Sequence, residues 1–279
     1  MSSGRSGRGS FVYGKLGACP SNREHAPTRS SFRHYSDELL DAKPMRLVTS
    51  VFLDFIRVVV AGDIDAVSRR LAASPALATT ASEVGATRAE ASTFFFADIA
   101  HYLYEGDTAL HMAAAAFRRP VAELLIAHGA DCRAKNRRGA EPLHYAADAN
   151  RCNPTAQAET IEYLIWIGAN PNALDGSGVA PLHRAVRTRS LAAVRALLDG
   201  GANARLPNKS GSTPLHLAAQ TTGRGGSGSP RAREQQAGIV RLLLERGARM
   251  TDQDGKGKDV HQAATSEWSK ALLREASAG

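Results

Sequence analysis

Five Leu-His pairs or near equivalents recur along this chain: Leu110-His111, Leu143-His144, Leu182-His183, Leu215-His216 and Val260-His261. The intervals between them are 33, 39, 33 and 45 residues. Two equal one basic period, and the other two exceed it by 6 and 12. A fixed period of this size belongs to stacked supersecondary units, each too small to bury its apolar face alone. Such an array presents surfaces and rarely builds a reactive pocket, so the repeat constrains function as well as fold.

Each unit reads as two helices. Thr213 before Pro214 starts a helix, because the hydroxyl can accept an orphan backbone N–H and Pro suits the first helical position. Thr108 keeps the cap without the Pro, whereas Glu141-Pro142 and Ala180-Pro181 keep the Pro without the good cap. A short Ala-rich first helix lets neighbouring backbones approach closely. The second helix carries apolar residues at helical spacing, as in Val121, Leu124 and Leu125, or Ile239, Val240, Leu242 and Leu243. It is expected to stop at Gly129, Gly168, Gly200-Gly201 and Gly247, where a left-handed residue costs little.

The text of the units resembles the ankyrin repeat, in which Gly-x-Thr-Pro-Leu-His-x-Ala-Ala leads to Val-x-x-Leu-Leu and then Gly-Ala-x-x-Asn. Gly211, Thr213, Pro214, Leu215, His216, Ala218 and Ala219 match the first part, and Val194, Leu197, Leu198, Gly201, Ala202 and Asn203 match the second. The resemblance implies an all-α solenoid of helix-turn-helix units joined by turns. It spans residues 47–277, with four clear repeats between two degenerate caps. Residues 52–72 form the first cap, and the motif around Val260-His261 opens the last. Insertions are expected near 78–104, 148–158 and 220–237. The first ends in an aromatic cluster from Phe94 to Tyr104, which serves either as a covering flap or as a binding lip.

Residues 1–46 are rich in Ser, Gly and Arg, lack periodicity and read as a disordered tail. A natural start near Met45 is the competing reading of this segment. Asp54 and Arg57 break the best apolar run, which argues against a membrane span. Cys19, Cys132 and Cys152 are odd in number and irregularly spaced, as expected of reduced thiols in a cytoplasmic protein. Bacterial ankyrin proteins sometimes act as effectors in a host cell, and nothing in these residues tests that alternative.

Catalytic and metal chemistry find no support in the text. Gly9 to Leu16 nearly spells a phosphate-binding loop, but Leu16 stands where a magnesium-binding hydroxyl is required. The recurring histidines lie in successive units, too far apart to share one zinc ion, and the resemblance gives them a structural role at the helix start. His128, Cys132, His144 and Cys152 lack the spacing of a closed zinc site. No nucleophile elbow or His-Glu-x-x-His is present. No enzyme activity, cofactor or metal is therefore expected.

By resemblance, partners dock on the turn tips and on the exposed side of the first helices, in the concavity of the stack. That points to Arg137, Arg138 and Lys209 at the tips and to Met112, Tyr145, Arg184 and Leu217 directly after the histidines, with Arg187 one turn beyond Arg184. These side chains make a mostly basic groove, and the net charge of +8 agrees with acidic partners. The reading is a monomeric protein-interaction scaffold that takes an acidic segment of a protein partner. The alternative is nucleic acid or a phosphorylated ligand, held by the same groove together with Arg224, Arg231 and Arg233 in the Gly/Arg-rich insertion. The scarcity of groove aromatics and the absence of a recognition-helix pattern weigh against nucleic acid.

Overall fold

The computed structural model describes residues 43–87, 91–148, 153–220 and 228–278. The expected N-terminal tail lies outside them up to residue 42, as do parts of all three expected insertions, residues 88–90 of the first among them.

The described helices run as successive pairs. They are α1 (Lys43–Ala61) with α2 (Ile64–Ala73), α3 (Ala109–Ala115) with α4 (Arg119–Ala127), α5 (Pro142–Ala146) with α6 (Pro154–Trp166), α7 (Pro181–Thr188) with α8 (Leu191–Asp199), α9 (Pro214–Ala219) with α10 (Pro230–Glu245), and α11 (Val260–Ala263) with α12 (Glu267–Ala278). Each first helix packs on the first helix of the next pair, from α1 on α3 through to α9 on α11. The second helices do the same, from α2 on α4 through to α10 on α12. The result is an all-α repeat fold in two helical layers.

Side-chain size explains the layering. Ala109, Leu110, Ala113 and Ala114 are fully buried, so α3 is covered on nearly every side, and alanine is what permits the close approach. In the second layer, Val121 and Leu125, Ile161 and Leu164, Val194 and Leu197, and Val240 and Leu243 form one apolar stripe per helix. The expected stops are in place: Gly129, Gly168, Gly201 and Gly247 have φ of +88°, +105°, +89° and +90°. Of the Gly200-Gly201 pair, Gly201 is the left-handed residue.

Between α2 and α3 the chain makes a small hairpin. Strand β1 (Phe95–Phe96) pairs antiparallel with β2 (His101–Tyr102), in the register Phe95 with Tyr102 and Phe96 with His101. Phe94, Ile99 and Leu103 are buried and join the main core. Ser82 and Gly106 tie the base of the insertion: Ser82 N–H donates to the Asp107 carbonyl at 2.8 Å, and Gly106 N–H to the Ser82 carbonyl at 2.7 Å.

Candidate partner-binding surface

The histidines form a repeated clamp that fixes the first helices. In α3, His111 Nδ1 accepts the Thr108 N–H at 3.1 Å, while Nε2 lies 3.0 Å from the Ala140 carbonyl of the next unit. His144 accepts from Glu141 N–H at 3.1 Å and reaches the Val179 carbonyl at 3.1 Å. His216 accepts from Thr213 N–H at 3.3 Å and reaches the Lys258 carbonyl at 3.2 Å. His183 keeps the first bond, from Ala180 N–H at 3.1 Å, but its buried Nε2 makes no hydrogen bond among the described residues. Because Nδ1 accepts, the ring proton must sit on Nε2, so the clamp requires neutral imidazole. Burial pushes the His111 and His183 pKa values down, and burial followed by the nearby Arg184 charge lowers His144 to about 4.

The turn tips are closed by a second repeated device. Asn136 Oδ1 accepts the N–H groups of Arg138 and Ala140 at 2.9 and 3.0 Å. Asp175 does the same for Ser177 and Val179, Asn208 for Ser210 and Ser212, and Asp254 for Lys256 and Lys258. Asp or Asn three residues before each turn glycine (Gly139, Gly178, Gly211, Gly257) is the sequence signal for this closure.

On this frame the residues expected to form a basic groove divide sharply. Met112 and Tyr145 were expected as apolar anchors and are instead core residues, 0% and 2% exposed. The insertion between α2 and α3 folds back against Tyr145. The His101 ring lies 4.5 Å from the Tyr145 ring, and Met112 is fully buried in the core of the array. The Tyr145 hydroxyl donates to the buried Asp107 carboxylate at 2.7 Å and accepts from Asn136 Nδ2 at 2.9 Å. Burial, and then Asp107, hold this phenol well above its ordinary pKa.

Arg137 and Arg138 remain exposed but are turned toward the same insertion. Arg137 pairs with Glu105 at 3.3 Å and donates to the Ala86 carbonyl at 2.9 Å. Arg138 lies 4.9 Å over the Tyr104 ring.

Arg184 is corrected as well. Its side chain is 11% exposed, and its two arms are spent on Asp148 at 3.1 Å and Asp175 at 2.8 Å. Burial opposes its charge, but the two carboxylates outweigh burial and raise its pKa. It is an internal clip between a turn and a first helix, and little of it faces solvent.

Arg187 and Lys209 are exposed, and Leu217 is half-buried. Of the anion-binding candidates, Arg231 is exposed in the first turn of α10, whereas Arg233 is half-buried, 5.8 Å over the Trp268 ring. Arg224 lies outside the described residues, as do Cys19 and Cys152. Cys132 is a free thiol, its pKa raised by burial. Among the described residues no three His, Cys, Asp or Glu side chains are placed to share a metal ion, and no helix is long and apolar enough to cross a membrane.

Two features were not anticipated from the repeat text. One is the buried Asp107, Asn136 and Tyr145 network, which depends on how the insertion folds back. The other is Trp166, at the end of α6, which is 81% exposed.

This chain belongs to the ankyrin repeat family: residues 84–158 and 152–254 match ankyrin repeats in their three-copy form. It is also similar to the E3 ubiquitin-protein ligase KEG of Arabidopsis thaliana, at 37% identity over 82 residues. That stretch is 29% of this chain and 5% of the ligase, so the match spans only a small part of that protein. Ankyrin repeats generally mediate contacts between proteins, and domains built from them are typically not enzymes.

Proposed function

We propose that this chain is a non-catalytic interaction scaffold, cytoplasmic and monomeric, in which four regular units stand between α1–α2 and α11–α12 as degenerate caps. Its partner surface is the C-terminal part of the first-helix face and turn tips, centred on Arg187, Lys209 and Leu217. The partner is a protein that offers an acidic segment.

The observation that carries this reading is the division of the face. The insertion takes up the end near Tyr145, against whose ring His101 packs, while Arg187 stays exposed in the same shallow depression as the half-buried Leu217 and Lys209 stays exposed at its turn tip. A net charge of +8 favours encounter with an acidic segment, and an apolar side chain next to an exposed Arg suits such a ligand.

The test is affinity capture at physiological salt, with the full chain and its Arg187→Glu/Lys209→Glu variant as baits. One protein recovered in stoichiometric amount by the native chain and lost from the variant supports the reading. Equal recovery by both baits removes this face. Recovery of nucleic acid alone moves the function to phosphate recognition.

A further inference from the structure

The outer face of the second-helix layer carries a cluster that stacking does not require. The left-handed glycines Gly129, Gly168, Gly201 and Gly247 put α4, α6, α8 and α10 in common register. Two residues before each stand Ala127, Trp166, Asp199 and Glu245, and all four are exposed. The position is outward-facing by construction, and three of the four units fill it with a small or charged side chain. Only the second of them puts an indole there, 81% exposed to water. An aromatic that buries so little adds almost nothing to the core and leaves a large apolar face in solvent.

The surroundings of Trp166 define the chemistry that would cover it. Tyr163, one turn earlier on α6, places its ring centroid 6.2 Å from that of Trp166. Glu162 and Glu159, at four and seven residues before Trp166, lie on the same side of the helix and are exposed. The neighbouring helix α4 adds Glu123 and Arg119. There the face already shows how it receives a cation: the Arg119 guanidinium sits 5.6 Å over the Tyr163 ring and is held by Glu123 at 2.8 Å. Glu159 and Tyr163 also help to stabilise the Arg119 charge, after its hydrogen bond to Glu123. Glu123, Glu159 and Glu162 stand with Arg119 on α4 and α6, while Arg133, whose Nε donates to the Gly168 carbonyl at 2.8 Å, and Arg195 on α8 border them, so the carboxylates nearest the indole along α6 are Glu159 and Glu162.

We infer that the outer face of α6 docks a basic, Lys- or Arg-bearing segment of a protein partner, with one cation seated on the Trp166 indole beside Glu159 and Glu162. Indole is the strongest cation acceptor among the aromatic side chains, and Trp, Tyr and Arg are the residues that most often carry interface energy. Ala127, at the equivalent position of α4, is too small to cover the ring from that side. The surface is separate from the Arg187 and Lys209 face and selects a partner of opposite charge.

The probe is a fluorescein-labelled octa-arginine peptide, titrated with the full chain at low and at physiological salt and followed by anisotropy. A chain of this net charge repels a polycation at long range, so any binding has to come from a local acidic patch. The expected result is saturable binding that weakens about three- to thirty-fold in Trp166→Ala, the range of one cation–π contact. Glu159→Gln/Glu162→Gln should weaken it as well. Arg187→Glu/Lys209→Glu should not weaken it, which keeps the test independent of the proposed first-helix site. Trp166→Ala should melt at the native temperature, because the side chain is exposed. Three results would overturn the inference: no binding by the native chain, equal affinity in Trp166→Ala, or a blue shift of the Trp166-dependent fluorescence on neutral phosphatidylcholine vesicles, which would reassign the indole to a lipid surface. A Trp166-dependent dimer in sedimentation equilibrium would likewise overturn it, since a second copy would then cover the ring.

Discussion

The Tyr145 hydroxyl donates a hydrogen bond of 2.7 Å to the carboxylate of Asp107, an acid with no exposed surface. Asp107 directly precedes the Thr108 cap of α3, and Tyr145 sits in α5, so one bond fastens one unit to the next. The same carboxylate accepts from Asn136 Nδ2 at 2.8 Å and from Tyr104 N–H at 2.6 Å. A buried acid stays in place only when its oxygens are satisfied. Tyr145→Phe removes one donor and leaves the ring. We expect a loss of about 1–3 kcal/mol in urea unfolding with an unchanged m-value. A loss within error would mean that water replaces the hydroxyl.

The histidine clamp makes stability depend on pH in a defined direction. Neutral imidazole accepts at Nδ1, and the imidazolium cannot. His144 titrates at about 4 in the folded chain and at 6.5 when unperturbed. Between those values the unfolded chain binds the extra proton and the folded chain does not, so unfolding free energy rises with pH across this window. Its contribution is complete above the unfolded value and is lost as pH falls through about 4. For His144 alone the span is worth about 3 kcal/mol, and His111 and His183 act with the same sign. Proton NMR of the imidazole Cε1–H groups provides the check. A His144 midpoint near that of a free histidine would rule out the clamp as the source.

Much of this architecture was legible because its determinants are local. Thr213-Pro214 and Gly201 set helix ends within a few residues of themselves, and repetition carried the pattern along the chain. Tyr145 was misassigned for a tertiary reason. Its position after His144 is that of a groove residue in the family, but His101 of the insertion packs against its ring and Asp107, just past the insertion, takes its hydroxyl, and no period encodes those contacts. Arg184 was misassigned because its partners Asp148 and Asp175 lie 36 and 9 residues away. Trp166 was within reach of the sequence: two residues before Gly168, it breaks a register that elsewhere holds Ala127, Asp199 and Glu245.

Glu141 stands where Thr108 and Thr213 stand in their units, and the exchange is unfavourable. It is a buried residue with no partner for Oε2, and Lys135 Nζ is 4.0 Å from Oε1. Burial raises its pKa, so the folded chain disfavours its charged form and protonation on acidification relieves that cost. The threonines place their hydroxyls against the histidine instead, with Thr213 Oγ1 2.8 Å from His216 Nδ1 and Thr108 Oγ1 3.0 Å from His111 Nδ1. Glu141→Thr should therefore stabilise the chain at pH 7 by about 1 kcal/mol. Differential scanning calorimetry would register this as a higher Tm. A lower Tm would show that Lys135 offsets the burial of this acid.

Arg184 and Arg187 lie one turn apart on α7 and look alike in sequence, yet their substitutions should separate stability from recognition. Arg184 joins Asp148 to Asp175, and Asp175 also closes its turn by accepting the Ser177 and Val179 N–H groups. The Asp175 carboxyl is buried, which would raise its pKa, but the Arg184 hydrogen bond and the turn N–H groups hold it below the usual range. Removing the guanidinium leaves a largely buried carboxylate with no counter-charge. Arg184→Ala should cost about 3 kcal/mol or more in urea unfolding. Arg187 is exposed, and Arg187→Ala should stay within about 0.5 kcal/mol of the native chain. Equal, small losses at both sites would return Arg184 to the binding surface. The unequal result would place it in the frame that holds the Asp175 turn, with recognition left to Arg187 and its exposed neighbours.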